Sequence, residues 1–378
     1  LREFLTKDTQ PNPFDHQEIH EVMDLCLSCK GCTSECPSNV DMSSLKAEFL
    51  HQYYQTHGIP LRAKAFANIN RLNQLGAKVP YLSNFFLNNR LTSGLLKRLL
   101  GVAMERSLPT LGKVTLTQWL NHTYSKWEKP TPAKAIVFLF CDEFTNYNDP
   151  TIGITAVKLL HHLGYEVKWL EHAESGRAHL SKGLLVQAQA FAQQNVSLFK
   201  DVITKDSPLI GIEPSAILSF RDEYPRLVAK EEKAAAQQLG QEALLIDEFL
   251  VREAQAGRIS ADQFTDAPQH ILLHGHCHQK ALASVSDTAH LLSIPPKYTV
   301  EVIPSGCCGM AGSFGYEKEH YQVSMKIGEM VLFPAVKAAS SNSIIAAPGT
   351  SCRHQIADGT ARKALHPVEV LWQALQKE

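Results

Sequence analysis

His270-Ile271-Leu272-Leu273-His274-Gly275-His276-Cys277-His278-Gln279-Lys280 is the stretch on which the fold turns. A short apolar run, His270 to Leu273, stops at a glycine-containing turn and passes into a helical pattern from Gln279 to Leu292. This is how a buried strand feeding a crossover helix reads. The same texture recurs on both sides. Strand candidates are Ala135 to Phe140, Glu166 to Leu170, Leu209 to Ile212, Thr299 to Ile303 and Ser343 to Ala346. Helical patterns cover Ile152 to Leu163, Leu184 to Gln194, Lys318 to Ala338 and Pro367 to Gln376. Short apolar strands alternating with longer helices predict an α/β layer structure with mainly parallel sheets.

The pattern repeats. A strand ending in Cys141 corresponds to the one leading into Cys277, and Pro214-Ser215-Ala216 corresponds to Gly349-Thr350-Ser351-Cys352; both spacings are 136 residues. Glu174-Ser175-Gly176 stands roughly where Cys307-Cys308-Gly309 stands in the later copy. Equal offsets predict a duplicated half, 131–255 and 256–378. Lys129-Pro130-Thr131-Pro132 marks a boundary before it. Residues 1–130 read as helical. Asp41 or Ser43 can cap a helix through Leu45, Phe49 and Tyr53 that ends near Gly58 and Pro60, and a second helix runs from Leu61 to Leu75. In Tyr81 to Leu111, Leu91, Leu95 and Leu99 alternate with Arg90, Lys97 and Arg98. Such a helix can lie on lipid, but the preferred reading packs it on its own domain. His161-His162 is expected on a helix surface.

Composition narrows the function. The chain has 378 residues, 44% hydrophobic and 20% charged, with a formal net charge of −1. That material builds real cores and excludes disorder as the main theme. Near-neutral charge offers no field for a phosphate backbone, so no nucleic-acid partner is expected. No apolar run approaches the roughly 18 to 20 residues of a membrane span. Leu1 to Leu25 lacks the pattern of a signal peptide, and a chain opening on Leu1 suggests a fragment or a processed piece. Nine cysteines, all but Cys141 clustered at 26–36 and 277–352, argue for metal over disulfides and for a reducing compartment. The expected location is the cytoplasm, with at most peripheral contact at the inner face of a membrane.

Cys26-Leu27-Ser28-Cys29-Lys30-Gly31-Cys32-Thr33-Ser34-Glu35-Cys36-Pro37 matches the C-x2-C-x2-C-x3-C-P run that binds a [4Fe-4S] cluster in bacterial ferredoxins. Thiolates three residues apart on a tight loop wrap one side of a cubane, and Gly31 lets backbone N–H groups approach its sulfides. A structural zinc site is the bland alternative. In two-cluster ferredoxins the fourth cysteine serves the other cluster. Because 37–140 contains no cysteine, the preferred reading is that Cys36 closes the same cluster; a lost upstream partner run is the other.

The second constellation is Cys277, Cys307, Cys308 and Cys352, each on a loop after a predicted strand. In a parallel sheet the carboxyl ends of strands share one edge, so loops far apart in sequence can meet there. Glycines beside Cys307-Cys308 allow a bulky group close approach. Four thiolates at one edge point to a second iron-sulfur cluster, with zinc the runner-up and buried inert thiols the bland case. His276, His278 and His354 flank these cysteines as ligands, proton carriers or structural histidines. Lys280 and Arg353 could offset thiolate charge.

The run Cys26 to Pro37 followed by a duplicated domain carrying Ser305-Gly306-Cys307-Cys308-Gly309 resembles the C-terminal part of the large FAD-linked oxidases of the D-lactate and D-2-hydroxyglutarate dehydrogenase type. It is similar also to the iron-sulfur subunits of glycolate oxidase and anaerobic glycerol-3-phosphate dehydrogenase, and more distantly to the B subunit of heterodisulfide reductase. The resemblance implies a helical ferredoxin-like domain, 1–130, joined to a duplicated cysteine-rich "CCG" domain. Its first repeat, with Ala216 in place of cysteine, would be metal-free and Cys141 a remnant. In the distant reductase the last motif ends in C-x-x-C, whereas Arg353, His354 and Gln355 follow Cys352 here. No segment resembles the family's FAD-binding domain. The implied function is electron transfer from FAD, on a separate domain or partner, through the two cysteine sites to a quinone or other acceptor. A thiol-disulfide reductase and a zinc-stapled non-catalytic subunit are the alternatives.

Overall fold

A computed structural model describes Thr6, Asn12 and residues 14–376. The remaining residues lie outside the described part; they include much of the start of the stretch read for a leader and the last two positions of the second repeat.

The helical N-terminal region follows the sequence logic with two changes. The Met42–His57 helix begins at Asp41, whose carboxylate accepts from the Ser44 N–H at 3.1 Å, and ends at Gly58 with φ +71°. The run expected over Leu61 to Leu75 is two helices, Leu61–Ala67 and Ile69–Gly76, broken at Asn68. Tyr81 to Leu111 becomes a pair, Pro80–Asn88 and Arg90–Leu100, split where Asn89 caps the second helix. The expectation that this pair packs on its own domain holds only in part: the second helix contacts Leu61–Ala67, but its apolar stripe, Leu91, Leu95 and Leu99, is exposed. Ser93 and Gly94, on the opposite side, are the buried positions.

Seven strands form two sheets among the described residues: β1 (Ile136–Phe140), β2 (Glu166–Lys168), β3 (Leu209–Gly211), β4 (Ala243–Leu245), β5 (Gln269–Leu273), β6 (Tyr298–Val302) and β7 (Ile344–Ala346). Their orders are β2-β1-β3-β4 and β6-β5-β7, and every strand pair is parallel. The protein is therefore α/β. Central β1, Ile-Val-Phe-Leu-Phe, is buried on both faces, as an apolar run in a covered sheet requires, while edge strand β6 alternates and stays half open. The β2-β1-β3 and β6-β5-β7 units have the same connectivity, as a duplication would give.

Strand register corrects the alignment of the repeats. Phe138 pairs with Leu209 and Ile271 with Ile344. Cys141 directly follows β1 as His274 directly follows β5, so Cys141 is the counterpart of His274. Cys277 opens its helix as Glu143 opens the Glu143–Tyr147 helix. The equal sequence spacings are coincidental: Cys141 is the first residue past β1, whereas Cys277 is the fourth past β5. Ala216 and Cys352 do correspond, each lying in the first turn of the helix after the third strand.

Three further expectations are adjusted. The Gln279 to Leu292 pattern is two helices, Cys277–Leu282 and Val285–Leu292, with Ser284 capping the second. Lys318 to Ala338 is likewise Tyr321–Met330 and Leu332–Ala338. His162 is exposed as expected, but His161 is half-buried against Trp127 and Tyr124. One core crosses the repeats: Val137 and Leu139 of β1 pack in a cluster with Leu291, Val368 and Leu371, and with Leu116 and Leu120 from before the Pro130-Thr131-Pro132 break.

Candidate metal centres

The first cysteine run folds as a loop leading into the short Gly31–Glu35 helix, with Lys30 at φ +63° before it. Backbone N–H groups point at its sulfurs: Ser28 donates to Cys26 Sγ and Met42 to Cys32 Sγ, each at 3.4 Å. Such donors stabilise thiolate charge. Cys36 is held separately by the N–H groups of Val40, Ser38 and Asn39, which lower its pKa. Cys29 is pushed up by burial and by the charges of Cys277, Cys26 and Cys32, with the Gly31 N–H working against them. Cys277, from the second constellation, outweighs both of Cys29's own loop neighbours. The Gly31–Glu35 and Cys277–Leu282 helices are in contact.

Buried cations anchor this loop. Lys30 is buried and pairs with Asp222, with Glu223 at 3.0 Å and with Asp41 at 3.4 Å; Glu223 also binds Arg177. Lys46 is buried beneath the loop and donates to the Cys26 carbonyl at 2.7 Å. Neither lysine was among the candidates, because one sits inside a motif read for its cysteines and the other on an ordinary helix pattern.

The second constellation assembles at the carboxyl edge of the second sheet. The four sulfurs neighbour one another in series, Cys277 next to Cys307, Cys307 next to Cys308 and Cys308 next to Cys352, and each perturbs the titration of the next. Cys277 is raised first by its bond to Cys307 and then by burial. In Cys308 the bond from Cys307 works downward, yet the bond to Cys352 and burial prevail. Four clustered thiols, with Cys308 and Cys352 buried and Cys277 and Cys307 half-buried, cannot ionise together without a strong positive partner. The Gly309 N–H donates to Cys307 Sγ at 3.4 Å.

His274 completes the set. It is buried, its Nδ1 meets Ser305 Oγ at 2.7 Å, and its Nε2 has no hydrogen-bond partner among the described residues. One ligand atom each from His274, Cys308 and Cys352 lie within 4.8 Å of one another. An orphaned buried imidazole nitrogen beside clustered thiols is the donor set of a soft or borderline metal. Burial lowers His274 to about 3, so its ring is neutral and free to donate. The sequence signal was available: His274 is the first residue past β5.

The other flanking residues take different roles. His276 caps the Cys277–Leu282 helix, accepting from the His278 N–H at 3.2 Å. His278 lies 3.7 Å from Cys277 Sγ, with its Nε2 unpartnered among the described residues. His354 reaches the Tyr316 hydroxyl at 3.4 Å. Lys280 donates to the Ser305 and Gly306 carbonyls and tethers the CCG loop. Arg353 pairs with Asp149 at 2.7 Å.

The first repeat presents carboxylates where the second presents thiols. Glu143 binds Ser175 Oγ at 2.6 Å, and burial lifts neighbouring Asp142 to about 7. Glu213 spans the repeats: it accepts from Ser215 at its own helix start and from the Thr350 N–H at 2.8 Å, at the start of the helix that carries Cys352. Cys141 is buried with its Sγ 4.0 Å from the Leu139 carbonyl, and burial pushes its pKa up.

Known proteins share this sequence in part. The chain is 27% identical over 373 residues to D-2-hydroxyglutarate dehydrogenase of Escherichia coli K12, covering 96% of this chain and 35% of that protein. It is 27% identical over 268 residues to the C subunit of anaerobic glycerol-3-phosphate dehydrogenase from the same organism, covering 69% of this chain and 66% of that relative. It is 23% identical over 228 residues to lactate utilization protein A of an Exiguobacterium species, covering 59% and 88%. The chain thus spans about a third of the length of the D-2-hydroxyglutarate dehydrogenases it matches. No family model and no solved structure matches it. The chain is similar, along nearly its whole length, to part of a dehydrogenase much longer than itself.

Proposed function

We propose that this chain is the electron-transfer portion of a flavin-linked 2-hydroxy-acid dehydrogenase, of the D-2-hydroxyglutarate or D-lactate type. A D-2-hydroxy acid becoming a 2-oxo acid gives two electrons and two protons to FAD on another domain or subunit. Iron-sulfur centres would supply the one-electron steps that a flavin needs to feed a single-electron partner. Cys26, Cys29, Cys32 and Cys36 would hold a [4Fe-4S] cluster. Cys277, Cys307, Cys308 and Cys352 would hold the second centre, with iron-sulfur preferred to zinc, and His274 is an added candidate ligand. The acceptor would be a quinone or another carrier. The division into 1–130, 131–255 and 256–378 belongs to the same reading.

One observation carries it: the Gly31–Glu35 helix of the first run packs against the Cys277–Leu282 helix of the second, and the charge of Cys277 is felt at Cys29. A relay needs this short path, whereas two unrelated structural metal sites do not. The names of the relatives support the substrate class and a separate catalytic partner. No described helix is long and apolar enough to cross a membrane.

The test is iron, sulfide and zinc quantification on anaerobic protein and on Cys308→Ala. A broad absorption near ~400 nm and a loss of about four irons in the variant are expected if the second centre is a cubane-sized cluster. Protein without iron overturns the relay, and unchanged iron with lost zinc overturns the second cluster.

A further inference from the structure

The helix pair Pro80–Asn88 and Arg90–Leu100 leaves its apolar face uncovered. Leu91 is 85% exposed, Leu95 71% and Leu99 69%, a stripe spaced four residues apart on one side of the second helix. On the first helix Tyr81 is 73% and Phe85 60% exposed. The two helices pack against each other, so these side chains belong to one hairpin. Soluble surfaces scatter single apolar residues; they do not normally line up Leu, Phe and Tyr over two consecutive helices.

Charge identifies what covers this face. Residues 49–104 hold seven Lys and Arg and no Asp or Glu, in a protein whose formal net charge is −1. Arg62 is committed to Glu317 and Glu319. Arg90 and Arg98 are exposed on the helix that carries the apolar stripe, and Lys78 is exposed just before the first helix of the pair. Glu105 shares a cleft with Lys97 and Arg98, but the surface of the hairpin itself carries only basic charge, and an apolar face with such a border matches a bilayer carrying anionic headgroups. The second helix has 11 residues, too short to span and suited to lying in the interface plane.

The hairpin is fastened to the second cysteine site. The Ala103 N–H donates to the Tyr316 carbonyl at 2.7 Å, and Val102 pairs with Glu317. Val102 shares a core cluster with Cys308 and Cys352. Buried Arg106 donates to the Gly315 carbonyl at 2.7 Å and to Ser324 Oγ at 2.8 Å, and pairs with Asp358 at 3.1 Å. We propose that residues 80–100 form a peripheral docking element for anionic lipid bilayers, holding the second cysteine site near the membrane surface. The lipid contact stands on the hairpin alone; its use in delivering electrons to a lipid-soluble acceptor rests on the relay reading.

The test is co-sedimentation of the full chain with vesicles of phosphatidylcholine alone and of phosphatidylcholine mixed equally with phosphatidylglycerol. Binding to the mixed vesicles is expected, with little to phosphatidylcholine and release as salt rises towards about 1 M. Leu91→Ser/Leu95→Ser should lower affinity about tenfold or more while keeping the parent's melting temperature and iron content, because both residues are exposed. Arg90→Glu/Arg98→Glu should act in the same direction. Absence of binding to mixed vesicles, or binding unchanged in both variants, overturns the proposal. So does self-association of the parent, or capture of a flavoprotein partner, that the leucine variant abolishes while vesicle binding stays. Iron-free protein that still binds vesicles would sink the relay and leave the lipid face standing.

Discussion

Lys30 and Glu223 meet at 3.0 Å in the interior, one from the middle of the first cysteine run and the other from the first repeat. Burial pushes the Glu223 carboxyl up, but Arg177 and Lys30 outweigh it and hold its pKa down. The carboxylate thus neutralises two cations, and the loop is locked to the repeat. Lys30→Met removes one cation and leaves Asp222 and Asp41 short of a partner. Breaking such a buried network typically costs about 3–5 kcal/mol. The expected result is a lower urea midpoint together with loss of the first centre's iron; a loss below about 1 kcal/mol would show that the pair is screened like a surface bridge.

The neighbourhood of Cys29 and Cys277 predicts a magnetic signature. Two reduced paramagnetic centres ligated by adjacent thiolates interact, so their electron paramagnetic resonance lines should split and broaden. In Cys308→Ala the spectrum should simplify to that of the first centre alone. Two unsplit, independent signals in the parent protein would mean that the sites do not communicate.

His274 is expected to matter more than the histidines nominated by sequence. Its Nε2 has no partner among the described residues and its ring groups with Cys308 and Cys352, whereas His276 is occupied as a helix cap, His354 with Tyr316, and His278, whose Nε2 is also unpartnered, neighbours Cys277 instead. His274→Ala should weaken metal retention at the second centre by about 10- to 100-fold in a chelator competition. His354→Ala should leave it within about twofold on the same scale. Equal retention in both variants would remove His274 from the ligand set.

These residues also show what the sequence could and could not carry. Cys277, Cys307, Cys308 and Cys352 were legible because each follows a strand, and parallel strands bring such loops to one edge. All six strands read from the sequence appear in the structure. The missed β4, Ala243–Leu245, is three residues long, and the missed helix Thr350–Thr360 holds few apolar residues, so neither leaves a periodic signal; the missed Ile246–Gln255 helix does show one, with Ile246, Phe249 and Leu250 on its buried face. Lys30, Lys46 and Arg106 were invisible because burial of a cation is decided by partners from distant segments. The Arg90–Leu100 stripe read correctly as amphipathic, but an amphipathic pattern does not say what its apolar face will meet.

The cluster Glu317, His320 and Asp24 sets a pH window for joining the helical region to the second repeat. His320 lies 3.0 Å from Asp24 and 3.2 Å from Glu317. Burial opposes its charge, but Asp24 and Glu317 raise it to about 9. Burial also opposes charge on Glu317, yet His320, Lys182 and Arg62 bring it to about 2. A raised histidine contributes fully below its unfolded pKa of roughly 6.5 and loses that contribution as pH climbs through about 9. A depressed glutamate contributes above roughly 4.5 and loses it as pH falls through about 2. Stability from this cluster should therefore peak between about pH 4.5 and 6.5. His320→Gln should flatten the alkaline side of a melting-temperature profile and also make the acid side shallower, because His320 is one of the groups that depress Glu317; an unchanged alkaline limb would refute the assignment.

Gly309 supplies the sharpest steric test. Its φ of +94° lies where side chains are rarely tolerated, and a Cβ there would stand 2.3 Å from the Ser324 carbonyl oxygen. That oxygen belongs to the backbone of the Tyr321–Met330 helix and already accepts from Gln355 at 3.0 Å, so it cannot withdraw cheaply. The glycine N–H is also the donor to Cys307 Sγ. Gly309→Ala must either strain the backbone or push the CCG loop off the helix, which would turn that N–H away from the sulfur. A cost of at least about 1–3 kcal/mol is expected from the backbone alone, with metal lost from the second centre and retained at the first. Gly306 is the control within the same loop: a Cβ there meets nothing within 4 Å. Gly306→Ala should keep both stability and metal, and if it proves as damaging as Gly309→Ala, the contact with Ser324 is not what fixes this loop.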